Sequence, residues 1–231
     1  MNPNIAIAIL LITFVLLIMI KCPITFSMII STAFTMLYIQ VPVMTLVQQM
    51  SKQLNSFSLL AIPFFILMGE IMAAGGISSR LLAFANVCVG QITGGLAHVN
   101  VLASMLFGGI SGSAIADVSS LGALEIPMME EAGYEKDFSI AVTVASSCQG
   151  LIIPPSHNMV LYSMVAGGVS VGSLFCAGYI PGIMLGVFIM GMCYIISKKK
   201  HYPKGKKLPF KEALRVTKDT FFAMLAMVII I

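Results

Sequence analysis

The residues best placed to do chemistry lie in two interruptions of otherwise apolar sequence. The first reads Phe107-Gly108-Gly109-Ile110-Ser111-Gly112-Ser113-Ala114-Ile115-Ala116-Asp117, and the second Gln149-Gly150-Leu151-Ile152-Ile153-Pro154-Pro155-Ser156. Hydrocarbon satisfies neither backbone N–H nor C=O, so non-helical backbone at membrane depth must line protein or a wet cavity. A helix ending near Phe107-Gly108-Gly109 would expose carbonyls with partial negative charge, and one beginning at Ser113 would expose N–H groups with partial positive charge. Carbonyl and hydroxyl oxygens suit a small hard cation such as sodium. N–H groups suit a carboxylate. Glycine permits close backbone approach, and Ser113 is a natural N-cap. In the second interruption Pro154-Pro155 removes two donors and frees carbonyls upstream, with Gly150 and Ser156 at its flanks. The expected ion- and substrate-binding set is therefore Ser111, Gly112, Ser113, Asp117, Gly150, Pro154, Pro155 and Ser156, with Ser111, Ser113, Gly150 and Pro154 as candidate sodium ligands. A plain turn between packed helices and a plain proline kink are the alternatives.

Asp117 follows Ser113 by one helical turn. An intramembrane carboxylate is a functional candidate; a helix-start Asp that complements the dipole is the equal alternative. Glu70 and Glu125 fall near the ends of apolar segments and read as interfacial, with a transport role as the lesser alternative for each. His98 and His157 are isolated, without metal-ligand spacing; His157 neighbours the second break and is close enough in sequence to touch a substrate, although structural roles are expected for both. The five cysteines are scattered through apolar sequence and suggest neither a disulfide framework nor a zinc site. There is no second membrane Asp in suitable context, no Gly-x-Ser-x-Gly elbow and no phosphate-binding G-x-x-x-x-G-K-[ST] loop. The chain reads as no enzyme, with no cofactor beyond sodium as coupling ion.

The elements that must hold these residues are apolar. The 231-residue chain is 58% hydrophobic and 10% charged, against about 25% charged in a soluble domain. Apolar runs at Asn4–Ile20, Pro23–Tyr38 and Leu59–Met72 read as three N-terminal spans, the second and third separated by a polar stretch, Gln48–Ser58. Pro63 is positioned to kink the third, and Gly75-Gly76 to stop it. Arg80–Ile92 mixes polar and apolar residues and suits an interfacial helix. Gly95–Phe107 and Ser113–Met128 flank the first interruption. Each is about 20–24 Å long as helix, short of a core of about 30 Å, so a re-entrant helical hairpin is expected. An acidic loop from Glu130-Glu131 to Asp137 leads into a broken helix, Phe138–Ala166, closed by Gly167-Gly168; a further span, Gly172–Ile196, carries Pro181. The expected domains are 1–93 (scaffold spans and interfacial helix), 94–197 (transport-type unit) and 198–231 (basic loop and the start of a second repeat).

The net charge of +4 comes mostly from Lys198-Lys199-Lys200-His201 through Lys204, Lys206 and Lys207. Directly after an apolar helix, such a cluster reads as juxtamembrane and cytoplasmic, not as a nucleic-acid site. This puts the N-terminus outside, with Lys52 alone on the unfavoured side. Pro209–Asp219 resembles the start of an amphipathic helix, and Thr220–Ile231 is apolar but too short to cross, so the chain is expected to be the first part of something larger.

Three motifs, Leu60-Ala61-Ile62-Pro63-Phe64-Phe65-Ile66-Leu67-Met68-Gly69, Gly108-Gly109-Ile110-Ser111-Gly112-Ser113-Ala114-Ile115-Ala116-Asp117 and Leu151-Ile152-Ile153-Pro154-Pro155-Ser156, occur in order along the chain. Together they resemble the large membrane (DctM-type) subunit of tripartite ATP-independent periplasmic (TRAP) transporters. That resemblance implies an all-α integral membrane protein of the bacterial inner membrane, working as a sodium-coupled symporter of organic acids such as C4-dicarboxylates or sialic acid. It implies delivery of the substrate by a periplasmic solute-binding protein and a small membrane subunit as partner in the bilayer. It also implies an elevator-type arrangement of two inverted repeats, of which the second is missing here. An elevator-type anion or ion permease working without a binding protein, or an inactive fragment, is the alternative.

Overall fold

The computed structural model describes residues 3–54, 57–205 and 209–230, and is built of helices. Backbone contacts divide it into Met1–Leu59 and Leu60–Ile231.

In the first unit, α1 (Pro3–Met19) packs against α2 (Ile24–Tyr38). α1 buries no residue, and a helix apolar on every side without a protein core belongs in hydrocarbon. The buried positions of α2 are Ser27 and Ser31, whose hydroxyls donate back to the Pro23 carbonyl at 3.2 Å and the Met28 carbonyl at 3.1 Å. The polar stretch expected at Gln48–Ser58 is instead largely helical: residues 48–54 complete α3 (Met44–Leu54), while Asn55 and Ser56 lie outside the described residues. Met44, Val47, Met50 and Leu54 recur at helical spacing, so the polar residues are one face of an amphipathic helix.

The second unit contains α4 (Phe57–Ala74, from Leu60 on), α5 (Ile77–Val89), α6 (Gly95–Ser111), α7 (Ala114–Ser120), α8 (Gly122–Glu131) and α9 (Lys136–Ser147). A single 3-10 turn (Cys148–Leu151), α10 (His157–Ala166), α11 (Val171–Lys200) and α12 (Phe210–Ile230) follow. α6 is the central element and packs on α5, α9 and α11. One apolar cluster joins Leu81 and Ala85 of α5 to Phe107 and Ile110 of α6 and to Leu121; a second joins Ala97, Val101, Met129, Val142, Cys193 and Tyr202.

Several expected boundaries move. The first hairpin arm runs one turn past Phe107, to Ser111. The second arm is two helices, α7 and α8, divided at Leu121, where Ser119, Ser120 and Gly122 are weak helix formers. Of the segment Arg80–Ile92, residues 80–89 belong to α5, whose Ser78, Leu81, Leu82 and Ala85 are buried, and Gly90–Ile92 form the turn after it. α11 continues past Ile196 to Lys200. Among the described helices α11, with 30 residues, is the one long and apolar enough to cross a membrane alone. Ile62–Met72 and Ile77–Val89 reach that standard only as a pair bent by 71°. Of the other expected spans, α1 with 17 residues sits at the lower limit and α2 with 15 falls below it. α12 joins the amphipathic start and the apolar tail in one helix, packed on α5.

The residues after α11 form a strap across the hairpin's base. His201, at φ +55°, turns the chain back. The Gly94 N–H donates to the Pro203 carbonyl at 3.2 Å, and the Gly205 N–H to the Gly90 carbonyl at 3.0 Å. The Tyr202 ring stacks on Tyr134 at 4.3 Å between centroids and meets Phe138 at 5.3 Å. Its hydroxyl accepts the Glu135 N–H at 3.3 Å, and Lys200 pairs with Glu135 at 2.5 Å. Lys206 and Lys207 lie outside the described residues.

Candidate functional site

At the hairpin tip, Gly112 takes φ +61° and donates its N–H to the Gly108 carbonyl at 2.8 Å. The expectation of free carbonyls at Phe107-Gly108-Gly109 is corrected by about a turn: those of Gly109, Ile110 and Ser111 accept no hydrogen bond among the described residues. Helix termini leave such groups over because no following turn supplies the donors. Ser113 is extended, and its Oγ accepts the Ala116 N–H at 3.3 Å, the N-cap its residue type suggests.

The second break behaves as its prolines require. In a helix the Gly150 and Leu151 carbonyls would take N–H bonds from residues 154 and 155, both proline. Gly150 accepts no bond among the described residues, while Leu151 takes the Ser156 hydroxyl at 2.8 Å. Ser156 is therefore turned back into the break and does not cap α10.

The two breaks meet. A Cβ built on Gly108 would lie 2.5 Å from the Gly150 Cα; one on Gly150 would lie 3.1 Å from the Gly108 Cα and 3.7 Å from the Ser113 carbonyl oxygen. A Cβ on Gly112 would lie 2.6 Å from the Pro155 carbonyl oxygen and 3.2 Å from the Ser156 Cα. The structure thus brings together Ser111, Gly112, Ser113, Gly150, Pro155 and Ser156, with Pro154 buried in the same break. Gly69 of α4 closes the set, its added Cβ falling 3.3 Å from the Ser111 Cα.

Beside this contact lies a cavity of about 240 Å³ whose polar lining is Glu70, Ser111, Ser113, Ser119 and His157. The sequence reading did not single out Ser119, read Glu70 as interfacial, and gave His157 a structural role while noting that it could touch a substrate; Gly69 beside Glu70 and the helix start after a double proline at His157 were the available signals. The His157 Nδ1 is buried without a partner among the described residues. Asp117 does not line the cavity; it is buried, and its carboxylate oxygens have no hydrogen-bond partner among the described residues. Ser104 belongs to a buried polar chain between α6 and α9. Asn100 donates to the Thr143 hydroxyl at 2.7 Å, Ser146 donates to Asn100 Oδ1 at 2.8 Å, and the Ser104 and Ser146 hydroxyls are 3.1 Å apart. His98 has a structural role, with its Nδ1 3.0 Å from the Gly94 carbonyl and its ring edge-on to Tyr194. At the base, the Glu135 carboxylate holds the Lys200 ammonium above its usual range, chiefly through their hydrogen bond.

Residues 11–231 match the family model described as the tripartite ATP-independent periplasmic transporter, DctM component. The chain is 43% identical over 210 residues to a sialic acid TRAP transporter large permease protein of Vibrio cholerae, covering 90% of this chain and 49% of that protein. It is 42% identical over 175 residues to a C4-dicarboxylate TRAP transporter large permease protein of Pseudomonas aeruginosa, covering 76% and 41%. It is 40% identical over 222 residues to an uncharacterized protein of Salmonella typhimurium, covering 95% and 51%. The chain spans about half the length, or less, of these relatives. It belongs to the DctM component family of TRAP transporters.

Proposed function

We propose that this DctM-family chain forms the first repeat of a large permease subunit that takes up an organic acid with sodium across the bacterial inner membrane. The observation that carries the reading is the meeting of the hairpin tip with the second break, at Gly108–Gly150 and Gly112–Pro155, where the carbonyls of Gly109, Ile110, Ser111 and Gly150 have no partner among the described residues. Neutral hard oxygens at one point are what sodium coordination asks for. The Ser111 and Ser113 hydroxyls and the Gly150 and Pro154 carbonyls serve as its ligands. Gly112, Pro155 and Ser156 shape the seat, and the adjacent cavity with Glu70 and Ser119 receives part of the substrate.

The substrate class is a carboxylated organic acid, since the relatives' names specify sialic acid and C4-dicarboxylate. A second, inverted repeat completes the elevator and the other half of the site. A periplasmic binding protein delivers the substrate, and a small membrane subunit flanks the permease. The hairpin is re-entrant, α5 lies toward the interface, and Lys198–Lys204 face the cytoplasm.

The test is uptake of labelled organic acid into vesicles carrying the transporter that contains this chain, with its binding protein, against a sodium or a choline gradient. Sodium-dependent uptake that a Gly112→Val change removes is the expected result. Uptake indifferent to sodium would refute the coupling, and uptake without a binding protein would refute the delivery route.

A further inference from the structure

The cavity beside the tip has a wall whose hydrogen-bonding capacity can be read atom by atom. His157, Glu70, Ser119 and the two tip serines are its polar side chains, and neither lysine nor arginine lines it. Ile66, Ile115 and Ala116 supply the apolar part. At about 240 Å³ it holds a portion of a substrate, since pockets for a whole small molecule start at about 300 Å³.

The His157 ring offers this cavity a donor. Its Nδ1 is buried and has no partner among the described residues. Its Nε2, which likewise bonds no described group, keeps accessible surface. A buried N–H without an acceptor is rarer than an acceptor without a donor, so the proton of the neutral ring belongs on Nε2. The other two side chains are acceptors. Ser119 spends its O–H on the Ile115 carbonyl at 2.8 Å and keeps lone pairs free. Glu70 is exposed on α4, with no ion pair or hydrogen bond among the described residues, and a carboxylate only accepts.

A substrate group on this wall must therefore accept from His157 and donate to Glu70 or Ser119. A hydroxyl does both. A second carboxylate accepts only, gives Glu70 nothing, and meets a like charge with no lining cation to offset it. We infer that His157 is a specificity-determining residue donating through Nε2 to a substrate hydroxyl, and that the substrate is a hydroxylated monocarboxylate of the sugar-acid kind in preference to an unsubstituted dicarboxylate. This rests on the reading of the chain as part of an organic-acid permease. The hydroxylated portion of the substrate fills the cavity, its carbon skeleton meets Ile66 and Ile115, and its single carboxylate lies away from Glu70.

The test is ligand binding to the purified transporter that contains this chain, in nanodiscs at fixed NaCl. No binding protein is added, so the delivery partner's own preference does not enter. Thermal unfolding is followed against gluconate, sialic acid and succinate. At least one hydroxylated acid should raise Tm at a concentration about tenfold below that needed with succinate. His157→Leu should raise the half-saturating concentration of that acid about fivefold, the worth of one hydrogen bond. His157→Gln, which keeps an N–H donor, should recover most of the loss. Glu70→Gln should narrow the preference by removing the charge that repels succinate. Succinate protecting as well as both hydroxylated acids overturns the inference, as does protection by none of the three or a half-saturating concentration that His157→Leu leaves unchanged. Should His157→Leu fail to fold, Glu70→Gln decides: a narrowed preference supports the inference, and an unchanged one overturns it. Sodium-driven uptake that prefers succinate would sink this inference alone. A hydroxyl preference with uptake indifferent to sodium would sink the coupling alone.

Discussion

The hairpin is held in opposite ways at its two ends. Its base is fastened by groups that bind one another: the Gly94 and Gly205 N–H groups, the Tyr202 ring and hydroxyl, and the Lys200–Glu135 pair. Among the described residues no hydrogen bond joins the tip to the second break; glycine backbone lies against backbone there, and the oxygens nearby are unused. Fit without bonding can separate and re-form without leaving polar groups unpaired, whereas opening the base exposes stacked rings and broken bonds. The base is the anchored end, and the tip is the end with valence left for a ligand.

The hardest way to break this contrast is to spoil the fit. Gly108→Val places a side chain where its first carbon alone would sit 2.5 Å from the Gly150 Cα. Overpacking of this kind costs about 1–3 kcal/mol, and here it pushes the two breaks apart. Vesicle uptake should vanish while the protein still inserts; uptake at wild-type rate would show that the breaks need not touch. Tyr202→Ala attacks the other end, removing a buried ring from a three-ring stack. Aromatic truncations of this kind cost about 3–5 kcal/mol, so Tm should fall sharply while the sodium concentration for half-maximal uptake stays put. A shift in that concentration would mean that base and tip are coupled.

Smaller changes sharpen the comparison. Ser113→Ala removes a cap worth about 1 kcal/mol and one proposed ligand. It should raise the sodium requirement in uptake assays more than it lowers the maximal rate. Lys200→Gln should do least, because the pair is about half exposed, with side chains 49% and 57% accessible. Its pH behaviour has a definite sign. The lysine is raised above its unfolded value by Glu135, so on the lysine side its contribution is fully present below the ordinary lysine range and lost as pH climbs through the raised value. On the alkaline side, unfolding curves of wild type and Lys200→Gln should therefore converge as pH climbs through the raised lysine value.

How much of this was legible in the sequence differs between the two ends. The tip announced itself because its chemistry is local: Gly112 and Ser113 mark the turn and cap, and Pro154-Pro155 dictate which carbonyls go free. Its exact boundary was missed because Gly108 and Gly109, poor helix residues, are kept helical by burial. α3 was missed because its polar face outweighed the apolar spacing of Met44, Val47, Met50 and Leu54. The base was invisible. Nothing near Tyr202 predicts that its partners are Tyr134 and Phe138, or that Glu125, near a helix end in sequence, is buried with no partner among the described residues. Spacing along a chain shows which face a residue shares, and it does not show what that face meets.

The strap also sets an order of assembly. Glu135 meets the Tyr202 hydroxyl across 67 residues and Lys200 across 65. A ribosome delivers the N-terminal elements first, so the hairpin and the second break are made before the segment that clasps them exists. During synthesis the hairpin waits with its base unlatched, and it closes only when α11 has been inserted and the chain behind it has folded back. Correct insertion of that one long helix is therefore the checkpoint for closing the hairpin's base.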